Sequence, residues 1–181
     1  MAADSTGPQV DQEETGTAWL SRYARRRKLE FFFAQIPADT RILDVGCADG
    51  WVRRWAEASG WHDILGIDLV GPADIVGDIN EWRALGLEAA SFDAVIAFEV
   101  VEHGDLAEAL RALLKPTGRL YATTPVPRLD WACRALERVR VLQPRTSAHS
   151  HLVDLRRYPG FRAVDHRVKG VVSQWGVLAP L

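Results

Sequence analysis

Cysteine is scarce in this 181-residue chain, with only Cys47 and Cys133, and neither lies in a C-x-x-C pair or a Cys/His cluster. That excludes a disulfide framework and a zinc site of ordinary spacing, and a reducing, cytoplasmic setting is expected. No apolar run approaches the roughly 20 residues that span a bilayer. Residues 1–18 contain no Lys or Arg and lack the apolar stretch of a secretory signal. Neither sign of charge prevails: 22 Lys and Arg stand against 24 Asp and Glu, a net charge of -2. This argues against a broad polyanion-binding surface. Internal repeats and low-complexity linkers are absent too. The length and the 48% apolar content suit one soluble domain with a substantial core.

The stretch Arg41-Ile42-Leu43-Asp44-Val45-Gly46-Cys47-Ala48-Asp49-Gly50 reads as a buried strand, a glycine-punctuated turn and the start of a helix. In parallel α/β domains a ligand sits beyond the carboxyl end of such a strand. The dinucleotide pattern G-x-G-x-x-G, which receives a pyrophosphate, is missing. In its place stands Asp44-x-Gly46-x-Ala48-x-Gly50, and an acid there suits a cationic ligand because a pyrophosphate would meet like charge.

Further strands are expected at 63–69, 73–79, 91–98, 120–125, 161–168 and 171–178, with helices at 51–59, 81–87, 106–114, 131–141 and 153–158 between them. Glu102 and His103 are read as opening the helix after the fourth strand, where an acid favours the positive end of the dipole. Lys115 to Arg119 is read as a turn before the fifth strand. Asp68 ends the second strand 24 positions after Asp44, near the interval for an acid that accepts hydrogen bonds from ribose hydroxyls. The apolar run from Phe92 to Phe98 implies a strand buried on both faces. Residues 1–18 are expected to be a mobile acidic tail and 19–181 a single domain, with an amphipathic, Arg-rich helix over 19–36. Residues 125–150 break the alternation and are expected to cap the open cleft.

Taken in order, these segments resemble the motifs of the class I S-adenosylmethionine-dependent methyltransferases of small-molecule type. The resemblance rests on Asp44 to Gly50, on Gly77-Asp78-Ile79, on Phe92-Asp93 with Glu99-x-x-Glu102-His103, and on Leu114-Lys115-Pro116-x-Gly118 before Thr124-Pro125. It implies a Rossmann-like α/β fold: a doubly wound, seven-stranded, mostly parallel sheet with a C-terminal antiparallel hairpin. It also implies S-adenosylmethionine as cofactor. Asp44, Gly46, Cys47 and Gly50 would form its first motif, Asp68 would hold the ribose, and Asp78, Ile79 and Leu69 the adenine. Phe98 and Glu99 would line the methionine end, with Tyr23 or a neighbouring Arg of the first helix over the cofactor's carboxylate.

For the acceptor, the fourth motif reads Phe98-Glu99-Val100-Val101 rather than the Asn/Asp-Pro-Pro-aromatic of enzymes that methylate amino groups of nucleic-acid bases. No cysteine follows that strand to attack cytosine, and two cysteines are too few for arsenic chemistry. A small-molecule hydroxyl, on a sugar or natural product, is therefore expected, without nucleic acid, metal or a membrane span, in a monomer or homodimer. A hydroxyl needs a base near neutrality, and His151 or His149 is the candidate. A small-molecule nitrogen, RNA steered by the Arg-rich helix, and a cofactor-binding subunit without catalysis stay as alternatives.

Overall fold

The computed structural model describes residues 14–126, 153–169 and 173–181, with side chains from Arg22 onward. Seven strands make one sheet: β1 (Ile42–Val45), β2 (Ile64–Asp68), β3 (Ile75–Val76), β4 (Phe92–Phe98), β5 (Leu114–Pro125), β6 (Phe161–Lys169) and β7 (Ser173–Pro180). Their order is β3-β2-β1-β4-β5-β7-β6. β1 to β5 run parallel, whereas β7 lies antiparallel between β5 and β6. The expected sheet, with its terminal hairpin, is the one observed.

Alternation along the strands divides the core into two layers. Ile42, Ile96, Tyr121 and Val177 pack against Phe32 and Phe33 of α1 (Glu14–Phe33) and Val52 of α2 (Trp51–Ala58). Leu43, Val95, Leu120 and Leu178 pack against Leu110 and Leu113 of α3 (Ala107–Leu113), with Leu155 and Phe161 closing the layer. Central β1 and β4 are thus apolar on both faces, which explains their nearly continuous hydrophobic sequence. No described helix is long and apolar enough to cross a membrane.

Several boundaries differ from the sequence reading, each for a local reason. α1 already includes Glu14 to Ala18, part of the expected tail. β3 keeps two residues of the expected seven, because only Ile67 and Asp68 of β2 are there to pair with it. In place of a helix over 81–87 there is a 3₁₀ turn at Ile79–Glu81, capped by the Asp78 side chain on Asn80 N–H. Glu102 and His103 lie in a turn and α3 begins only at Ala107; Glu102 is 1% exposed, so it is buried rather than set at a helix terminus. The expected turn at 115–119 belongs to β5, whose pairing with β4 shifts register between Phe92 and Ala94. The helix expected over 153–158 is a 3₁₀ turn at Leu155–Arg157. Pro159 restricts the residue before it to extended backbone, and Tyr158 sits at φ -67, ψ 127. The helix and cap placed over 125–150 fall, beyond Val126, outside the described residues.

Candidate active site

From β1 the chain winds outward through β2 and β3, then returns to build β4 and winds the other way. Ligands of open α/β sheets bind at such a reversal, outside the carboxyl ends of the two strands that flank it. Here those ends carry Asp44 to Gly50 and Phe98-Glu99.

The glycine turn after β1 is tied to the end of β2. Gly46 N–H donates to Ile67 O at 2.8 Å, and Ala48 N–H donates to Asp68 Oδ2 at 2.8 Å. Gly46 and Gly50 take φ of +70° and +74°, a region L side chains rarely adopt. The side chain of Val100, just beyond β4, fills the place where a Cβ on Gly46 would stand. A small residue is therefore required twice over, by conformation and by space.

Asp44 is 2% exposed and lies in register with Gly66 of β2. Among the described residues its Oδ2 has no hydrogen-bond partner. Burial pushes its carboxyl up to about 8, opposed by the Arg53 guanidinium and reinforced by the Asp68 charge. Burial first, and then the charges of Asp44, Asp68 and Asp74, push the buried Cys47 thiol up to about 11. Asp74 carried no sequence signal, yet its Oδ2 accepts Gly66 N–H at 2.6 Å and Arg53 Nη1 donates to its Oδ1 at 2.8 Å. That hydrogen bond holds the Asp74 carboxyl below its ordinary value, and Arg53 also reaches the Ile64 carbonyl. A cleft of about 330 Å³ opens among Asp44, Cys47, Gly50, Arg53, Gly66 and Asp74.

On the β4 side, Glu99 adopts φ +56°, strained for a residue with a Cβ. Strain of this kind clusters where ligands are held. Glu99 Oε1 accepts from Lys28 Nζ at 3.1 Å and from Thr123 Oγ1 at 2.8 Å, while Lys28 also donates to Thr123 at 3.0 Å. The ammonium stands 5.2 Å above the Phe98 ring. Lys28 and Thr123 were missed in the sequence, where Lys28 merges into a run of basic residues. The one available signal was helical spacing, since Arg25, Lys28, Leu29 and Phe32 fall on one face of α1. Glu102 is pushed up to about 7, by burial first and by the Glu99 charge second.

The other expected site residues are more scattered. Tyr23 is 53% exposed on α1 and Leu69 is 69% exposed just past β2. Asp78 accepts Asn80 N–H at 2.9 Å. Ile79 is buried in the α3-side core with Trp82. His149 and His151 lie outside the described residues.

Two buried, raised carboxyls make stability pH-dependent. In the folded chain Asp44 and Glu102 keep protons at pH values where the unfolded chain, with carboxyls near 4, has lost them. Their contribution is full below about pH 4 and is lost as pH rises through about 7 for Glu102 and about 8 for Asp44. The expected result is a thermal midpoint that falls between pH 5 and 8.5. Asp44→Asn should flatten the upper part of that slope; an unchanged slope would contradict the Asp44 shift.

A model of the methyltransferase domain matches residues 17–158. The chain belongs to the class I S-adenosylmethionine-dependent methyltransferases. S-adenosylmethionine is the cofactor of this family, and the residues at the strand reversal fit it: a buried carboxylate oxygen without a partner suits an ammonium, and acids at two neighbouring strand ends suit a cation and a diol. This methyltransferase is 31% identical over 116 residues to the ubiquinone biosynthesis O-methyltransferase of Xanthomonas axonopodis pv. citri (strain 306). That alignment covers 54% of this chain and 48% of the relative, so the chain spans about half the length of the curated protein it matches. Its fold is also that of a solved protein from Pyrococcus horikoshii OT3, with a TM-score of 0.66, 19% identity, and 96% and 97% of the two chains covered. Magnesium protoporphyrin IX methyltransferase from Synechocystis PCC 6803, solved with bound SAH, superimposes with a TM-score of 0.61 at 13% identity over 97% of this methyltransferase and 90% of that chain.

Proposed function

We propose that the methyltransferase moves a methyl group from S-adenosylmethionine to a hydroxyl oxygen of a small molecule, a sugar or natural product. The observation that carries the donor half is the buried Asp44 oxygen, without a hydrogen-bond partner among the described residues and beside Asp68 at the strand reversal. Oxygen as the accepting atom is supported by the O-methyltransferase relative and by the fourth motif, which lacks the Pro-Pro signature of base amino methylation.

In this reading the cofactor supplies an electrophilic methyl carbon on a sulfonium. Asp44 holds the α-ammonium and Asp68 accepts from the ribose hydroxyls, while Gly46, Cys47 and Gly50 let the backbone approach. Asp78, Leu69 and Ile79 border the adenine. Phe98 and Glu99 line the methionine end, and Tyr23 covers it from α1. Alignment of acceptor oxygen and methyl carbon lowers the barrier by several kcal/mol, on the order of 7 in favourable models. His151 or His149 takes the hydroxyl proton, an effect of about 10²–10⁴-fold. The chain acts as one domain over residues 19–181.

Labelled S-adenosylmethionine incubated with sugars, polyketides, amines and RNA tests the proposal. Methylation of a hydroxyl compound is expected, and transfer only to an amine or to RNA would overturn it. Substituting His151 and His149 separately by Ala should lower turnover of that acceptor at least 100-fold for one of them, with binding of S-adenosylhomocysteine intact. If both variants turn over normally, neither histidine is the base.

A further inference from the structure

Four rings, Phe32 of α1 among them, form a row where α1 meets the sheet near its carboxyl edge. Centroid distances are 6.1 Å from Trp51 to Phe98, 5.1 Å from Phe98 to Phe32 and 5.6 Å from Phe32 to Trp175. Cations from two different elements stand over the part-exposed rings. Arg25 and Lys28 of α1 lie 5.2 Å above Trp51 and Phe98, and Lys169, the last residue of β6, lies 5.9 Å above Trp175. Arg167 joins them, 4.9 Å above Phe31, whose ring is 5.2 Å from that of Trp175.

The carboxylates on this rim already have partners: Glu99 pairs with Lys28, Asp165 with Arg167 and Asp49 with Arg54. Lys169 stands over the Phe31 and Trp175 rings, and Arg25 stands over Trp51 with its charge also acting on Asp49. A cation over an exposed ring is held weakly beside one hydrogen-bonded to an anion. The chain as a whole carries a net charge of -2, so this cluster of cations runs against its overall sign.

These two cations stand at opposite ends of the row of rings. Arg25 overhangs Trp51, the first residue after the glycine turn, and so belongs to the cofactor side. Lys169 lies across the sheet, beyond β4 and β5, with its ammonium over β7. Two strand spacings separate β7 from β4, about 10 Å, which is the reach of a small acceptor lying beside the methionine end.

We infer that the acceptor carries a negatively charged group, a carboxylate or a phosphate, and that Lys169, with Arg167 beside it, holds that group above Trp175. The inference rests on the small-molecule methyltransferase reading. Matched probes test it: 3,4-dihydroxybenzoate against its neutral amide, glucuronate against glucose, and glucose 6-phosphate for the phosphate arm. Each is assayed with labelled cofactor and, independently of turnover, by calorimetric binding to the protein loaded with S-adenosylhomocysteine.

An anionic member should be preferred at least tenfold over its neutral partner, and the preference should shrink as NaCl is raised. Lys169→Met should erase it by raising KM or Kd for the anion, with kcat, S-adenosylhomocysteine affinity and thermal midpoint unchanged, and Lys169→Arg should keep it. Preference in the carboxylate arms alone, or in the phosphate arm alone, assigns the group. Equal use of neutral and anionic probes, no binding of any anion, or a preference that survives Lys169→Met overturns the inference while the methyltransferase reading stands. Failure to bind S-adenosylhomocysteine overturns both.

Discussion

Asp44→Asn is expected to weaken binding of S-adenosylmethionine and S-adenosylhomocysteine by about a hundredfold or more, because removing one partner of a buried charge pair costs ~3 kcal/mol or above. Stability should hold or improve at the same time. Asparagine occupies the same space, and the folded chain no longer has to bury a carboxyl that ionises only near 8. A site residue that is merely structural would show the opposite pairing, lower stability with affinity preserved. The wild-type protein should also bind cofactor more tightly as pH rises from 7 to 8, by up to about tenfold, since the ammonium selects the ionised carboxylate. Proton uptake or release on binding, read by calorimetry in buffers of different ionisation enthalpy, should show release that vanishes in the variant. Equal cofactor affinity in variant and wild type would remove Asp44 from the site.

Gly46→Ala is the second large effect, and it acts on the fold and the site together. An added Cβ would meet the Val100 side chain well inside van der Waals contact, at a backbone φ of +70°. Overpacking of this kind costs about 1–3 kcal/mol, and a left-handed residue with a Cβ roughly 1–2 more. The thermal midpoint should drop by about 5–15 °C, on a scale of roughly 2–4 °C per kcal/mol for a chain of this size. Gly86→Ala is the control that separates the two causes: its φ is +78°, but nothing lies within 4 Å of the place its added methyl would take. It should lose only the conformational part. If both variants melt alike, the Val100 contact is not what constrains Gly46. Because Val100 follows β4 and Gly46 follows β1, the same substitution pushes apart the two strand ends that frame the cleft, so cofactor affinity should fall with stability.

The strand, glycine turn and helix over 42–58 were legible because the signals are local: an apolar run, positive-φ glycines and an amphipathic segment all agree. The order of the strands was legible through the family motifs. Readings failed where an apparently exposed residue is buried by distant elements. Glu102 has the look of a helix-opening acid, yet it is buried beyond β4 with its charge suppressed. Lys28 has the look of one more solvated base in an Arg-rich helix, yet it bridges Glu99 and Thr123 from two strands. The short turn at Leu155–Arg157 was readable in principle from Pro159, although residues 153–158 were read as a helix.

The sheet-building segments, the glycine turn at the first strand and the two acids spaced to close neighbouring strands follow from residue type and interval alone. Which charges become costly and which become partners is set by packing. Asp44 and Glu102 hold protons because packing strips them of water, and Lys28, Glu99 and Thr123 meet because α1 crosses the sheet at the edge where β4 and β5 end. Burial and long-range proximity arise from the assembled layers, and no window of sequence contains them.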